Sequence, residues 1–215
     1  MKKLLVLFIL MSLISCSKEE FTPSITECVI TIDDAPRWPE NTSKMLDVLE
    51  GYPVTFFCIG MDLEIQPKLA NRIAKEFTMA NHTYDHSDMK SLKNNQITYQ
   101  LLKTDSIIRS YNNLYGKQNR LFRFPYGSAS KSELDLVYKL GFSTQWWNAD
   151  ASDWDSNVTL EQIKSYYINV LNNAKDTPII LFHLSDNSIE GMKWLLRELE
   201  RRNIKVIGLE EYLNK

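Results

Sequence analysis

The chain has 215 residues, 44% hydrophobic and 24% charged, with 7 Gly and 7 Pro, a composition that excludes disordered, collagen-like and disulfide-framework classes. Lys plus Arg number 25 against 27 Asp plus Glu, so there is no strong positive field to hold a polyanion, and nucleic acid is set aside as a partner. The length and the absence of repeats suit one domain with a sizeable core.

Lys2 and Lys3 precede an apolar run from Leu4 to Leu13, too short to span a bilayer but of the length of a secretory h-region. The run ends in Leu13-Ile14-Ser15-Cys16, which resembles a bacterial lipobox. The expectation is a lipoprotein signal peptide over residues 1–15, a lipidated tether over 16–26 with the lipid on Cys16, and one folded domain over 27–215. That makes the protein an exported bacterial lipoprotein, periplasmic or surface-facing, touching the membrane only through its N-terminal anchor. Ser17-Lys18-Glu19-Glu20 reads as solvated tether.

Cys28 to Ile32 is the first strand candidate and runs into Asp33-Asp34. Val54 to Ile59 is the second. Phe77 to Ala80 is the third, followed by His82-x-x-x-His86, and Leu121 to Phe124 is the fourth, leading through Arg123 to Gly127. Leu134, Val137 and Tyr138 share a helical face closed by Gly141, a residue suited to a helix C′ position. Phe142 to Trp147 is the fifth strand, with Asp150 to Trp154 after it. Thr159-x-x-Gln162 is a capping box opening a helix whose Ile163, Tyr167, Val170 and Leu171 lie on one face. Ile179 to His183 is the sixth strand, Ile189, Met192, Leu195, Leu196 and Leu199 mark another helix, and Ile204 to Ile207 is the seventh strand.

Strands alternating with crossovers imply an α/β fold with a mostly parallel sheet, and seven of them favour barrel-like closure over an open doubly wound sheet. In either arrangement the reactive groups fall at the C-terminal ends of strands, on one rim. Cys28 and Cys58, in apolar runs, read as buried thiols. Trp146 and Trp147, adjacent on a strand, point to opposite sides and read as packing residues; Trp38, close after the Asp pair, could stack on a sugar.

The chain has 3 histidines, and all of them lie at these strand ends. Two imidazoles and a carboxylate bind a divalent metal facially and leave positions open, while the second carboxylate of the Asp pair is free to act as a base.

Thr31-Ile32-Asp33-Asp34, His82-Thr83-Tyr84-Asp85-His86, Arg123-Phe124-Pro125-Tyr126-Gly127, Asp153-Trp154 and Leu181-Phe182-His183 resemble, in order and spacing, the five motifs of the NodB-type polysaccharide deacetylases, carbohydrate esterase family 4. The resemblance runs over roughly residues 27 to 213. It implies a single distorted (β/α) barrel of about seven strands. It assigns Asp34, His82 and His86 as metal ligands, with Zn2+ the default and Co2+, Ni2+ or Mn2+ as alternatives. It assigns Asp33 as general base, His183 as general acid, Asp153 as the carboxylate beside that acid, Arg123 as the group that orients the base, and the Tyr126 backbone N–H as an oxyanion donor. Trp154 and Leu181 become apolar walls around an acetyl group. The implied activity is hydrolytic removal of N-acetyl groups from N-acetylglucosamine residues of peptidoglycan, a chitin-like oligomer or an exopolysaccharide. The alternatives are an O-acetyl xylan esterase and a non-catalytic glycan-binding lipoprotein.

Two positions depart from the family pattern: Ala35 stands where Gly is common, and Asp186 does not replace the missing Asp after His183. Asp150 matches a looser part of the fourth motif and reads as a loop-structuring carboxylate.

Overall fold

A computed structural model describes residues 25–215. The expected signal peptide, Cys16 and most of the tether lie outside the described residues.

β1 (Glu27–Ala35) is buried from Cys28 onward, as a strand covered on both faces must be. It is central to a parallel sheet with β2 (Thr55–Cys58), β3 (Thr78–Asn81), β4 (Leu121–Phe122), β5 (Ser143–Thr144), β6 (Ala149–Asp150), β7 (Ile179–Phe182) and β8 (Lys205–Ile207). Seven strands follow one hydrogen-bonded path in the order β5-β4-β3-β2-β1-β7-β6, and β8 pairs with the first residues of β1. The path ends at β5 and β6, so the (β/α) barrel is distorted and has an open seam there.

The helices are α1 (Pro39–Val48), α2 (Gly60–Ile65), α3 (Pro67–Glu76), α4 (Asn94–Asn112), α5 (Lys131–Lys139), α6 (Leu160–Asn173), α7 (Asp186–Arg201) and α8 (Leu209–Leu213). The period-2 alternation of the strands separates two apolar layers. Cys28, Ile30, Ile32, Phe56, Cys58, Ile180 and Phe182 face the helices, joined by Ile189, Met192, Leu195, Leu196 and Leu199 of α7. Val29, Phe57, Ala80, Leu121 and Ile207 face the other way and pack with Leu209 of α8. By the same alternation Thr31 and Asp33 share the face of Val29, where the buried Arg123 meets them.

The capping box at Thr159 is present, with Thr159 Oγ1 accepting from the Gln162 backbone N–H and Gln162 Oε1 accepting from that of Thr159. Gly141 is left-handed at φ 80, as a C′ residue should be. Cys28 and Cys58 are buried free thiols. Two expectations are corrected. Only Val137 of the Leu134, Val137, Tyr138 face is buried, and Tyr138 is 81% exposed, because α5 packs at the seam edge of the sheet where little covers it. The strand expected over residues 142–147 shrinks to Ser143–Thr144, and β6 follows with no helix between. The Gln145 and Trp146 carbonyls accept from the Arg123 guanidinium, which draws that segment out of regular pairing.

Candidate active site

Adjacent side chains on an extended strand point to opposite faces, so two neighbouring carboxylates can serve one site only if the backbone turns between them. Asp34 makes that turn, at φ 65. Thr83 (φ 68), His86 (φ 66), Tyr126 (φ 60) and Ser152 (φ 54) are left-handed too, all in loops at the C-terminal rim. Such a conformation costs a non-glycine residue about 1–2 kcal/mol, and its concentration at one rim marks a place where geometry outranks local stability. Ala35 does not carry that strain and pairs with Cys58 after a register shift between Ile32 and Ala35, so its Cβ is accommodated.

Asp34 Oδ1 lies 3.1 Å from His86 Nε2 and 3.6 Å from His82 Nε2. Ligand atoms of the three residues all fall within 4.8 Å of one another. His82 Nδ1 is 2.9 Å from the Arg123 carbonyl, which can only accept, so the proton sits on Nδ1 and the Nε2 lone pair faces Asp34. Burial pushes the His82 pKa down to about 3 and lowers that of His86, so both rings are neutral, the form that ligates metal. Asp34 Oδ1 is buried without a hydrogen-bond partner among the described residues. A buried carboxylate oxygen facing two neutral imidazoles fits a divalent cation.

Asp33 is buried beside this group, its Oδ1 2.8 Å from Arg123 Nη1. The same nitrogen donates to Thr31 Oγ1 at 2.9 Å, while Nε and Nη2 donate to the carbonyls of Gln145 and Trp146. The guanidinium also lies over the Phe57 ring at 4.0 Å. Four guanidinium hydrogen bonds thus fix Arg123, and Asp33 is held in one orientation.

His183, at the end of β7, meets Asp153 twice: its Nδ1 is 2.9 Å from Asp153 Oδ1, and its backbone N–H donates to Oδ2 at 2.8 Å. Burial alone would lower the His183 pKa. The hydrogen bond and charge of Asp153, reinforced by Asp33 and Asp34, outweigh it and raise the pKa to about 9.

A cavity of about 420 Å3 joins these groups, lined by Asp33, Asp34, His82, His86 and His183 and walled by Tyr126, Trp147, Trp154, Leu181 and Asp150. Tyr126 is 69% exposed and its ring meets His86 edge-on at 4.6 Å. Leu181 is held by its carbonyl, which accepts from the buried Tyr167 hydroxyl at 2.7 Å. All of the site residues expected at the described positions therefore converge here. Trp147 is a correction: it lines the cavity instead of only packing, because it sits on the irregular seam segment, against Gly127 and over Arg123 at 5.2 Å. Trp146 turns outward and stacks on Phe124. Asp150 does structure its loop, accepting from the Ser152 N–H, and it lines the cavity as well. A glycine at 127, just past the fourth strand, was the available signal for the close approach of Trp147.

Fold and site together define a class: α/β-barrel hydrolases that set a carboxylate and an imidazole around an Asp–His–His cation cradle at the strand-end rim. The chain belongs to the polysaccharide deacetylase family, whose pattern matches residues 22–145. It is 29% identical over 191 residues to the peptidoglycan-N-acetylglucosamine deacetylase of Bacillus cereus, covering 85% of this chain and 66% of that protein. It is 28% identical over 180 residues to the chitooligosaccharide deacetylase of Azorhizobium caulinodans, covering 82% of each. The crystal structure of a peptidoglycan N-acetylglucosamine deacetylase superposes with a TM-score of 0.77 at 27% identity, over 87% of both chains. The family match ends before Asp153 and His183, and it is the geometry that brings these two into the same site.

Proposed function

We propose that the protein is a metal-dependent hydrolase that removes N-acetyl groups from N-acetylglucosamine residues of a glycan, either peptidoglycan or a chitin-like oligomer. The observation that carries this reading is that Asp33 and His183 line one cavity with Asp34, His82 and His86, and each is locked by its own buried partner, Arg123 or Asp153. A protein that only bound glycan would not need an oriented base and a proton-loaded acid. The names of the relatives support N-acetylglucosamine as the substrate unit.

Asp34, His82 and His86 would hold the ion, with zinc preferred for this donor set. When bound, the ion acidifies a water and polarises the acetamide carbonyl. Asp33, aimed by Arg123, accepts the proton of the attacking water. The Tyr126 backbone N–H donates to the oxyanion that develops on the substrate, a contribution of about 3 kcal/mol in comparable hydrolases. His183, protonated through Asp153, hands its proton to the departing sugar amine. Leu181, Trp154 and Trp147 exclude water around the acetyl methyl, and the small pocket disfavours larger acyl groups. Lipidation at Cys16 would hold the enzyme at a membrane, within reach of an envelope glycan.

The test is acetate release from N-acetylglucosamine oligomers and from acetylated xylan, with metal-loaded and metal-stripped protein and Asp33→Asn as control. Metal-dependent release from the amide substrate is expected. Release from xylan alone would make the protein an O-acetyl esterase, and release from neither would leave glycan binding without catalysis.

A further inference from the structure

A second cavity, of about 470 Å3, lies at the opposite end of the barrel from the active-site rim, because its wall leads into the start of β4 and the strands of the sheet run parallel. Every side chain that lines it is polar: the cations Arg109, Lys117 and Arg120, and the amides of Asn112, Asn113, Gln118 and Asn119. Lys117 Nζ donates to the carbonyls of Ala74, Lys75 and Phe77 at the end of α3, which uses all its protons and leaves it a fixed charge. Arg109 Nε and Arg120 Nη2 share one carboxylate oxygen, Asp105 Oδ2, at 3.3 and 3.2 Å. The Arg120 guanidinium is also laid over the Phe142 ring at 4.2 Å. Two carboxylates, Asp105 and Glu210 of α8, thus act on three cations, and positive charge is left over. Hydrogen bonding is incomplete as well. Arg120 Nε is buried without a partner among the described residues, and so is Oδ1 of Asn112, a residue only 2% exposed. Both residues belong to the cavity wall, and buried polar groups left unpaired are uncommon in a folded protein.

We propose that this cavity binds a sugar phosphate, with the phosphate on Arg109 and Arg120 and the hydroxylated body among the amides. Both Nη groups of Arg109, and Nη1 and Nε of Arg120, have no hydrogen-bond partner among the described residues. Donors from two guanidinium groups match the three terminal oxygens of a phosphate monoester, whereas a carboxylate has two oxygens in one plane and is filled by a single guanidinium fork. Asn112 Oδ1 requires a donor, which a sugar hydroxyl supplies and a fully ionised oxyanion does not. A wall made of polar side chains alone suits a hydroxylated carrier and gives no purchase to acyl chains, so the carrier is a saccharide and not a lipid. A ligand at this end of the barrel leaves the rim free, and a phosphorylated saccharide is held without competing for the Asp34–His82–His86 cradle.

The test is a chemical-shift titration of the full chain with glucose 6-phosphate, reading the backbone amides of Asn113, Gln118 and Asn119 at the cavity and those of His86 and Tyr126 at the rim. Glucose 6-phosphate should move the cavity amides saturably, and glucuronate should bind there about fivefold more weakly or worse. Arg109→Gln removes donors and Gln118→Glu adds a negative charge, and each should weaken glucose 6-phosphate binding about fivefold. Both side chains are exposed, so neither change touches the core. Still cavity amides, movement at the rim alone, or affinity unaltered in both variants would overturn the site. Glucuronate binding as tightly as glucose 6-phosphate would overturn the choice of phosphate. Sedimentation with vesicles containing phosphatidic acid completes the test. Vesicle binding that the same two variants abolish, with no response to glucose 6-phosphate, would move the phosphate onto a lipid and overturn the saccharide.

Discussion

Arg123 serves Asp33 and His82 at once: its guanidinium donates to Asp33 Oδ1 at 2.8 Å, and its backbone carbonyl accepts from His82 Nδ1 at 2.9 Å. One residue thus orients the Asp33 carboxylate and sets the tautomer of the His82 ring. Two further bonds, to the Gln145 and Trp146 carbonyls, hold the seam of the barrel. Arg123→Leu would leave a buried carboxylate and two carbonyls unpaired, and removing one partner of a buried ion pair costs about 3–5 kcal/mol. Urea unfolding should show that loss. A change below about 1 kcal/mol, the range of an exposed pair, would mean that Arg123 is not a buried anchor.

Asp33→Asn keeps the shape of the side chain and an oxygen to accept from Arg123, and takes away the basicity. The ion should remain, measured as one equivalent by elemental analysis, while kcat falls by about 10²–10⁴, the range of a lost general base. His82→Ala should lose the ion itself. Retention of most of the activity by Asp33→Asn would assign the base elsewhere.

The rim was legible in the sequence because reactive residues and strand ends recur together, five times in order, and because β1 and β7 are short apolar runs with no helical period. α4 was not legible, since its buried face mixes Ile97, Leu101 and Ile108 with Gln100, Thr104 and Asp105, and no apolar stripe results. The break between β5 and β6 was hidden for a different reason. It depends on where the guanidinium of Arg123, just past β4, sends its hydrogen bonds, a tertiary fact that no local pattern carries. The direction of Trp147 follows from that break, and so it too escaped a strand-based reading.

On the proposed mechanism the His183–Asp153 pair should set the alkaline limit of activity. With its pKa raised to about 9, His183 remains a proton donor well above the ordinary 6.5 of a histidine. A pKa raised by folding also adds stability that is fully present below about 6.5 and is lost as pH rises through about 9. Asp153→Asn keeps an acceptor for Nδ1–H but removes the charge, so the protonated form is lost at lower pH. The alkaline limb of the kcat/KM profile should move downward in this variant. An unmoved limb would show that another group supplies the proton.

Gly127 and Trp147 test how the seam shapes the cavity. Gly127 is left-handed at φ 58, and a Cβ there would lie 2.8 Å from Trp147 Cη2. Gly127→Ala therefore carries two costs: about 1–2 kcal/mol of backbone strain, and a clash that forces Trp147 away from its place in the cavity wall and off Arg123. The two separate in a double-mutant cycle, because Trp147→Phe removes the six-membered ring of the indole that the new methyl would strike. In the Trp147→Phe background Gly127→Ala should cost only the backbone strain, and in the wild type clearly more, with a raised KM where Trp147 has shifted. Equal costs in the two backgrounds, measured by denaturant unfolding, would place the Trp147 ring away from Gly127 and remove it from the acetyl pocket.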